Sequence, residues 1–359
     1  MTAAVINRAT NRCWQVARLP DDGGLTGAGG PNSRGLALTA EVFGAGEVEV
    51  PEPGAGELLI RNVYFSPDPM NHAWVRGIPG KFDPIAVGGA MKGGVAGRVV
   101  ASNHPDWQIG DGVTGFLEWQ DYALSDGTDR LGVALQRVPA GVDLASGLGV
   151  LGMTGLCAWL GLTDIGRPKP GDTVLVSGAS GAIGSIAGQI ARLAGARAIG
   201  IARGAAKCDA VRRLGFDAVI DYAEGDLVSQ IAAEAPDGVD VFFDNVGGPM
   251  LEAALLNLAH GARIVICGAT AHYEGPTPIT NHLTLAMRGA SMAGFFYFDH
   301  VARLPEGRAR LGRWLADGSI RELLDIAEGF DAVPEAALGQ FNSGNTGRKL
   351  VRIADDPFV

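Results

Sequence analysis

Apolar residues in the second half of the chain form short continuous runs that alternate with longer mixed stretches. The runs at 173–177, 239–244 and 262–267 are rich in β-branched or aromatic residues. Such runs are typical of parallel strands that are buried on both faces of a sheet. The stretches at 226–235 and 250–258 predict helices between them. This alternation predicts an α/β fold with a doubly wound parallel sheet.

The first half of the chain has a different pattern, in which short apolar segments lie between glycine and proline turns. Close spacing of short strands predicts a compact β-rich domain. The pattern changes at residue 144, where 144–160 predicts a helix, and a late strand at 349–353 is expected to return to the first domain. The glycine-rich stretch 21–35 predicts an exposed loop. We predict strands in this half at 11–18, 57–64, 93–101 and within 111–124.

A glycine-rich turn follows the apolar run at 173–177 and reads Gly178-Ala-Ser-Gly181-Ala-Ile-Gly184-Ser185. Gly181 allows the backbone to approach a pyrophosphate, Gly184 allows close packing of helix on strand, and the free N–H groups at a helix start attract anions. The leading glycine of the usual G-x-G-x-x-G pattern is displaced by one residue. The turn therefore predicts a dinucleotide site, and the alternative is a tight structural turn.

The end of the next strand indicates which dinucleotide is bound. An NAD site usually has Asp or Glu roughly 20 residues past the turn, where it bonds the ribose 2′-hydroxyl. Here the strand at 196–203 ends on Arg203 without a carboxylate, and Lys207 follows. Two cations suit a 2′-phosphate, since Arg offers a planar fork and Lys a point charge. We predict NADP(H), with two solvated surface cations as the alternative.

Composition narrows the class of protein. The 359 residues are enough for two domains, and 47% hydrophobic with 19% charged residues indicates a folded protein. A net charge of −10 argues against an extended nucleic-acid surface. The four cysteines are single and predict neither a zinc knuckle nor a disulfide framework. No secretory segment or apolar run of about 18 residues is present, so we expect a cytoplasmic protein with no membrane segment.

Several short motifs together resemble one protein family, the zinc-independent medium-chain dehydrogenase/reductases. The resemblance is to the branch of leukotriene B4 12-hydroxydehydrogenase, prostaglandin reductase and the alkenal double-bond reductases, and it covers the chain from about Trp14 onward. The matching motifs are Gly152-Met-Thr-Gly-Leu156, Val176-Ser-Gly-Ala-Ser-Gly-Ala-Ile-Gly-Ser185, Leu214-Gly-Phe-Asp217, Phe243-Asp-Asn-Val-Gly-Gly248, Cys267-Gly-Ala269 and Met292-Ala-Gly-Phe295.

The resemblance implies a fold, a cofactor and a reaction. It implies a GroES-like catalytic domain at 1–143 that is completed by 320–359, a Rossmann domain at 144–319, and NADPH in the cleft between them. The implied reaction is reduction of the carbon–carbon double bond of an α,β-unsaturated ketone or aldehyde, by hydride transfer to the β-carbon. The implied assembly is a homodimer.

The resemblance also implies a set of cofactor residues, each of which has a structural alternative. Tyr222 could instead cap a strand, Asn245 could form a turn, and Phe295 and Phe296 could be aromatic core. The side chain of Cys267 is expected to be core, with its backbone near the nicotinamide. The implied cofactor-binding residues are Gly181, Ala182, Ile183, Gly184, Ser185, Arg203, Lys207, Tyr222, Asn245, Cys267, Gly268, Ala269, Thr270, Phe295, Phe296, Tyr297 and Asn345.

Two side chains are candidates for catalysis. The family has a tyrosine shortly before its Met-x-Gly-Phe strand, and His282 is placed at that position, where it could donate to an enolate or supply a proton. Tyr64 is a second candidate hydroxyl in the substrate pocket. The alternatives are an exposed loop histidine and a tyrosine packed in a strand. The altered stretch 68–72 predicts a substrate pocket that differs from that of the relatives.

A metal is not expected. Zinc alcohol dehydrogenases have an early Cys ligand and a Gly-His-Glu stretch where this chain reads Met91-Lys-Gly-Gly-Val-Ala-Gly97. Conjugate reduction needs less activation than interconversion of alcohol and ketone, because the protein mainly supplies orientation and donors aimed at the carbonyl oxygen. Together with the resemblance, this predicts an NADPH-dependent enone reductase. The alternatives are a quinone reductase of the same fold and a cofactor-binding protein without turnover, with a zinc alcohol dehydrogenase further behind.

Overall fold

The fold is described from a computed structural model. The structure describes residues 10–19, 38–67, 70–77, 83–271, 277–340 and 344–359. The predicted loop at 21–35 lies outside the described residues.

The first part of the chain is rich in β-strands, as the sequence predicted. A short 3-10 helix at Ala40–Val42 precedes the second strand. The elements are β1 (Asn11–Val16), β2 (Phe43–Val48), β3 (Leu58–Ser66), α1 (Met70–Arg76), β4 (Lys92–Ser102), β5 (Gly112–Glu118), β6 (Tyr122–Ser125) and β7 (Gln136–Val138).

The second part alternates between helices and strands. It also contains a π-helical turn at Gly161–Gly166 and 3-10 helices at Tyr297–Arg303 and Phe330–Ala332. The elements are α2 (Leu144–Leu148), α3 (Met153–Leu160), β8 (Thr173–Val176), α4 (Gly184–Leu193), β9 (Arg197–Ala202), α5 (Ala205–Arg213), β10 (Ala218–Asp221), α6 (Leu227–Glu234), β11 (Val239–Asp244), α7 (Gly248–Leu255), β12 (Leu258–Ile266), α8 (Leu283–Arg288), β13 (Ser291–Gly294), α9 (Leu304–Ala316), β14 (Leu324–Glu328), α10 (Val333–Gly339) and β15 (Arg348–Arg352).

Strands β8 to β13 form a six-stranded sheet in the order β10-β9-β8-β11-β12-β13. Every neighbouring pair in it is parallel. Side chains of β8 alternate between two apolar layers: Val174 and Val176 pack into one, and Leu175 packs into the other. The predicted doubly wound α/β fold is therefore confirmed. Because the strand order reverses between β8 and β11, a ligand site is expected outside the carboxyl ends of these two strands.

A seven-stranded sheet holds most of the remaining strands, in the order β14-β15-β3-β4-β5-β7, with β6 also paired to β3. Strand β15 is antiparallel to β3, so the C-terminal segment returns to the first sheet, as predicted for 349–353. Strands β8–β13 thus lie in one sheet, while β3–β7, β14 and β15 lie in the other. The boundaries at 143 and 320 themselves stay predictions.

The helix predicted at 144–160 is wrong in one respect, because it is broken into α2 and α3. Asp143 caps α2 by accepting a hydrogen bond from the Ala145 N–H. The helix then ends at Gly149, whose φ of −90° and ψ of −116° are not helical. A Cβ at Gly149 would lie 2.2 Å from Glu322 Oε1, so the break leaves room for a buried carboxylate. Apolar periodicity alone did not indicate this contact.

Glu322 joins the two places where the chain passes between the sheets. Its carboxylate accepts hydrogen bonds from the Ser146 hydroxyl and from the Val150 N–H, the latter at 2.6 Å. Burial raises the pKa of Glu322, and these two hydrogen bonds oppose the rise. The folded protein therefore binds a proton at this site more readily than the unfolded chain does.

We expect stability to depend on pH through this group. A carboxyl group whose folded pKa is raised favours folding below the unfolded value of about 4.3, and this contribution is lost as pH rises through the folded pKa. Glu322→Gln keeps an acceptor for the Val150 N–H and removes the buried charge. The urea midpoint of this variant minus that of the parent protein should therefore be larger at pH 8 than at pH 4. Glu322→Ala, the control, should be less stable at both pH values. A Glu322→Gln difference that does not change with pH would contradict this account.

Candidate functional site

The glycine-rich turn lies between β8 and α4, at the point where the strand order reverses. The N–H of Gly181 donates to Gly178 O at 2.9 Å, and that of Ser185 donates to Gly181 O at 3.0 Å. A Cβ at Gly184 would lie 2.3 Å from Gly178 O, so only glycine fits there. The N–H groups of Ala182 and Ile183 have no acceptor among the described residues. The turn therefore presents free donors at the start of α4, as a pyrophosphate site requires.

The C-terminal segment reaches this turn. The N–H of Gly347 donates to Ser180 O at 2.7 Å, and Gly347 forms an isolated parallel bridge with Gly181. Asn345 lies two residues earlier, and its amide nitrogen donates to Gly347 O at 3.1 Å. The structure thus brings Asn345 to the region of the turn, where sequence comparison had predicted a cofactor contact.

Three predicted residues for the 2′-phosphate end lie together beyond β9. Arg203 is exposed directly after this strand, and Lys207 is partly buried in the first turn of α5. Burial and the charge of Arg203 both lower the pKa of Lys207, so the two cations are close enough to repel each other. The N–H of Tyr222 donates to Ala202 O at 3.1 Å, which places Tyr222 at the same edge. A doubly charged anion here would relieve the repulsion.

A fully buried carboxylate organises the end of β11. Asp244 has an exposed fraction of 0%, and its Oδ1 accepts hydrogen bonds from the Ser177 hydroxyl at 2.8 Å, from Val246 N–H at 3.0 Å and from Gly247 N–H at 2.9 Å. The Ser177 hydroxyl also accepts from the Asn245 N–H at 2.8 Å. This network fixes the backbone on which Asn245 is held.

The loop after β12 is folded onto Asn245. The N–H groups of Cys267 and Gly268 donate to Asp244 O, and that of Thr270 donates to Asn245 O at 3.4 Å. Ala269 lies between Gly268 and Thr270 on this loop. The structure therefore brings Asn245 together with residues 267–270, which are part of the set predicted to line the nicotinamide side.

Asn245 provides a test of whether this place suits a cofactor. Its amide nitrogen donates to Ser177 O at 2.7 Å, while its Oδ1 is buried and has no hydrogen-bond partner among the described residues. Buried polar atoms without partners are rare in native proteins, and one at a site points to a missing ligand. A donor on the cofactor, such as a carboxamide or a ribose hydroxyl, would satisfy this oxygen. The residues present therefore fit a dinucleotide.

The predicted aromatic residues after β13 occupy three different environments. Phe295 packs against the core on one side of the parallel sheet, with its ring edge-on to His300 at 6.2 Å between centroids. Phe296 is largely exposed, and Tyr297 lines a cavity. Burial raises the pKa of Tyr297 above its usual value, and the nearby guanidinium of Arg308 opposes the rise. Tyr297 is therefore a neutral hydroxyl donor near pH 7.

That cavity, of about 60 Å³, lies between the β-rich region and the parallel-sheet region. Its walls combine apolar surface with a few polar groups, as in sites for small molecules. The β-rich side contributes Thr114, Phe116, Asp129 and Gln136, and the other side contributes Met153, Tyr297, Phe298 and Arg308.

Two cysteines link this cavity to the nicotinamide loop. A hydrogen bond between Cys157 and Cys267, together with burial, raises the pKa of the Cys267 thiol. The thiol of Cys157 is also near enough to Tyr297 to act on its pKa. The cavity therefore adjoins the loop at Cys267, and the raised pKa of the Cys267 thiol is that of a structural cysteine rather than of a reactive thiolate.

The two predicted catalytic residues are not brought to the cavity. Tyr64 is 8% exposed and packs among Val63, Leu144 and Leu350, which is the structural alternative considered for it. His282 is exposed immediately before α8, which is the alternative considered for the histidine. Neither residue lines the cavity. Their catalytic roles stay predictions.

Sequence comparison missed six polar or sulfur-containing side chains of the cavity, which are Thr114, Asp129, Gln136, Met153, Arg308 and Arg348. Met153 lies inside the motif that carried the resemblance, and its contact with the cavity could have been suspected from that position. Asp129, Gln136 and Arg308 carry no local signal, because their positions in loops, strands and helix faces are ordinary for polar residues. Only the tertiary fold brings them together.

Neither a metal site nor a membrane span is found in the described part of the chain. Within those residues no group of three or more His, Cys, Asp or Glu side chains could hold a metal ion. No helix there is both long and apolar enough to cross a bilayer. The expectation of a reaction without metal stays a prediction.

Comparison with known proteins shows clear relatives. Two family models match the chain, one described as zinc-binding dehydrogenase over residues 182–311 and one described as the N-terminal domain of oxidoreductase over residues 35–133. The chain is similar to the NADPH-dependent curcumin reductase of Escherichia coli, with 37% identity over 355 residues, which are 96% of this chain and 98% of that relative.

Two further similarities extend this result. The 2-alkenal reductase (NADP(+)-dependent) of Nicotiana tabacum is 33% identical over 313 residues, which are 86% of this chain and 90% of that relative. Among solved structures, CurA from Vibrio vulnificus in complex with NADPH has a TM-score of 0.83 and 34% identity, covering 96% of this chain and 99% of its own.

Proposed function

We propose an activity that follows from family membership: the chain belongs to the medium-chain dehydrogenase/reductases, in their zinc-independent branch, and it uses NADPH to reduce the carbon–carbon double bond of α,β-unsaturated ketones and aldehydes. The structural observation that carries the proposal is the buried, unpartnered Oδ1 of Asn245 at the carboxyl end of β11, and a separate cavity lined by Tyr297 offers room for a substrate. The named activities of the relatives, which act on curcumin and 2-alkenals, support it.

The chain holds the cofactor at three places. Arg203, Lys207 and Tyr222 bind the 2′-phosphate end, and the free N–H groups of the glycine-rich turn bind the pyrophosphate. Asn245 and the loop at Cys267 receive the nicotinamide end. Asn345 approaches the pyrophosphate from the C-terminal segment. When bound, NADPH supplies the hydride that is added to the β-carbon of the substrate.

The residues of the cavity orient the substrate and receive its developing charge. Negative charge collects on the carbonyl oxygen as the β-carbon is reduced, and a preorganised donor aimed at that oxygen lowers the barrier. The Tyr297 hydroxyl is such a donor, since its raised pKa keeps it protonated. The ring centroids of Phe116 and Phe298 lie 6.2 Å apart. These two side chains close one side of the cavity and exclude water from it.

NADPH oxidation followed by absorbance tests this function. We expect turnover with a simple enone such as 3-penten-2-one and with 2-hexenal, and none with the saturated ketone of the same length. Tyr297→Phe should lower kcat by about 10²-fold, in line with the loss of one oxyanion donor. Tyr122→Phe is the control, because Tyr122 lies on β6 and does not line the cavity, and it should keep the parental kcat. Turnover restricted to quinones would favour a quinone reductase, and NADPH binding without any turnover would favour a non-catalytic binding protein.

We also propose that the chain forms a homodimer through β13 and α8. Strand β13 lies at the edge of the parallel sheet, where it offers unpaired backbone groups to another copy. The neighbouring helix α8 exposes Leu283 by 65% and Met287 by 74%. Two such apolar side chains beside an open sheet edge suit a second copy related by a two-fold axis. We also propose a cytoplasmic location, as the sequence predicts.

Met287→Glu is expected to produce monomers, because a charge would be buried at the centre of the proposed interface. Light scattering after size-exclusion chromatography measures the mass directly. Val87→Glu, at an exposed apolar position of the β-rich region, is the matched control and should remain dimeric. A parent protein that is monomeric at micromolar concentration would contradict the proposed dimer.

A further inference from the structure

Arg308 is a cation in the cavity wall without a carboxylate partner. It projects from α9, and its Nε donates to Leu151 O at 3.1 Å while its Nη1 donates to Gln136 Oε1 at 2.6 Å. Both acceptors are neutral. No acidic side chain of the described ranges forms an ion pair with Arg308. Among the described residues, Tyr297 is the one titratable neighbour that affects the pKa of Arg308.

Burial of an arginine charge normally brings a compensating anion. Burial lowers the pKa of Arg308, yet a guanidinium remains protonated at neutral pH. A partly desolvated cation is costly unless it is paired, and neutral acceptors compensate it less well than a carboxylate does. A cavity-lining arginine of this kind is therefore suited to a ligand that brings the missing negative charge.

The other charged groups of the cavity do not remove this requirement. Asp129 lines the same space, but its carboxylate already accepts hydrogen bonds from the N–H groups of Phe116, Leu131 and Val133. Arg348 also lines the cavity. The one carboxylate among the lining residues, that of Asp129, is held by backbone donors and forms no ion pair with Arg308.

We propose that Arg308 is a specificity-determining residue that binds a carboxylate of the substrate, so that the enzyme prefers enones bearing an acidic group. This inference rests on the proposed function, because it concerns the substrate of the same site. Arg308 lines the same cavity as Tyr297, so a carboxylate bound by Arg308 would lie in the space that receives the conjugated ketone. The planar fork of Arg308 suits the two oxygens of a carboxylate.

The test compares 6-oxohept-4-enoate with its methyl ester. The two compounds have the same conjugated ketone and differ in charge. We expect kcat/KM to be higher for the acid in the parent enzyme, mainly through a lower KM. Arg308→Gln should reduce the acid-to-ester ratio of kcat/KM about tenfold or more, the size expected for one hydrogen bond to a charged group.

A second variant separates charge recognition from a structural role. Gln136→Glu keeps the contact with Arg308 Nη1 and supplies an internal carboxylate, so it should also lower the ratio about tenfold. If Arg308 only joined the two regions of the chain, Gln136→Glu would leave the ratio unchanged. Arg310→Gln, on the same helix and stacked on Trp314, is the control that should keep the parental ratio.

Inhibition by the saturated acid 6-oxoheptanoate, measured against turnover of neutral 3-penten-2-one, gives an independent readout. We expect the inhibition constant to rise about tenfold in both Arg308→Gln and Gln136→Glu. An equal preference for acid and ester in the parent enzyme, or ratios unchanged in both variants, would overturn the role of Arg308. Absence of turnover with every enone would instead refute the proposed function, so the two failures are distinguishable.

Discussion

The double substitution Arg203→Ala with Lys207→Ala should raise the Kd for NADPH about 100-fold and leave the Kd for NADH within about threefold of the parental value. The reason is that both side chains lie at the end of β9, where we propose that the 2′-phosphate end of the cofactor binds. Hydrogen bonds to charged groups contribute roughly 1.5–3 kcal/mol each when buried and less at an exposed position such as Arg203. A total near 2.7 kcal/mol corresponds to about two powers of ten.

Titration calorimetry with the two cofactors measures this difference. Arg212→Ala is the matched control, since Arg212 lies on the same helix α5 and pairs with Asp209 on the surface. It should bind both cofactors as the parent does. Equal losses for NADPH and NADH in the double variant would mean that the two cations are only surface charges, which is the alternative considered for them.

The second large effect is expected for Asp244→Ala. The carboxylate is fully buried and its Oδ1 accepts three hydrogen bonds, so its removal leaves the donors of Ser177, Val246 and Gly247 without an acceptor. Each unsatisfied buried donor costs about 1–3 kcal/mol, and relaxation of the loop recovers part of this. We expect a loss of about 3 kcal/mol in the free energy of unfolding, and weaker NADPH binding because Asn245 is no longer held.

Urea unfolding followed by circular dichroism tests this prediction. Asp240→Ala is a graded control on the same strand, because Asp240 accepts one hydrogen bond, from Thr173 N–H at 2.8 Å. It should cost about 1 kcal/mol. If Asp244→Ala were no more destabilised than Asp240→Ala, the network at the end of β11 would not have the role assigned to it. Asp244→Asn, which keeps one acceptor oxygen, should fall between the two.

The fold was predictable because its signals are local. The apolar run at β8 places Val174 and Val176 in one buried layer and Leu175 in the other, and a strand that is apolar on both faces is typical of a sheet covered on both sides. The glycine-rich turn was predictable for the same reason, since the close approach at Gly184 excludes any side chain. Most of the predicted cofactor residues came from the resemblance to the family, and their roles stay predictions.

The break between α2 and α3 and the composition of the cavity were not predictable. The break depends on Glu322, which lies 176 residues beyond its partner Ser146 in sequence. The cavity combines residues of both chain regions, and nothing local distinguishes Arg308 from the other polar residues of an amphipathic helix. The role predicted for Tyr64 shows a second limit. A tyrosine in a strand has the same sequence pattern whether its hydroxyl faces a pocket or its ring packs in a core, as the ring of Tyr64 does.

The position of the transferred hydride tests the central claim most directly. The parent enzyme is incubated with 3-penten-2-one and NADPH deuterated at nicotinamide C4, and the product is examined by NMR and mass spectrometry. The account predicts 2-pentanone with one deuterium on the carbon that was β to the carbonyl group. Deuterium on the carbonyl carbon, in an allylic alcohol, would contradict enone reduction and indicate a carbonyl reductase.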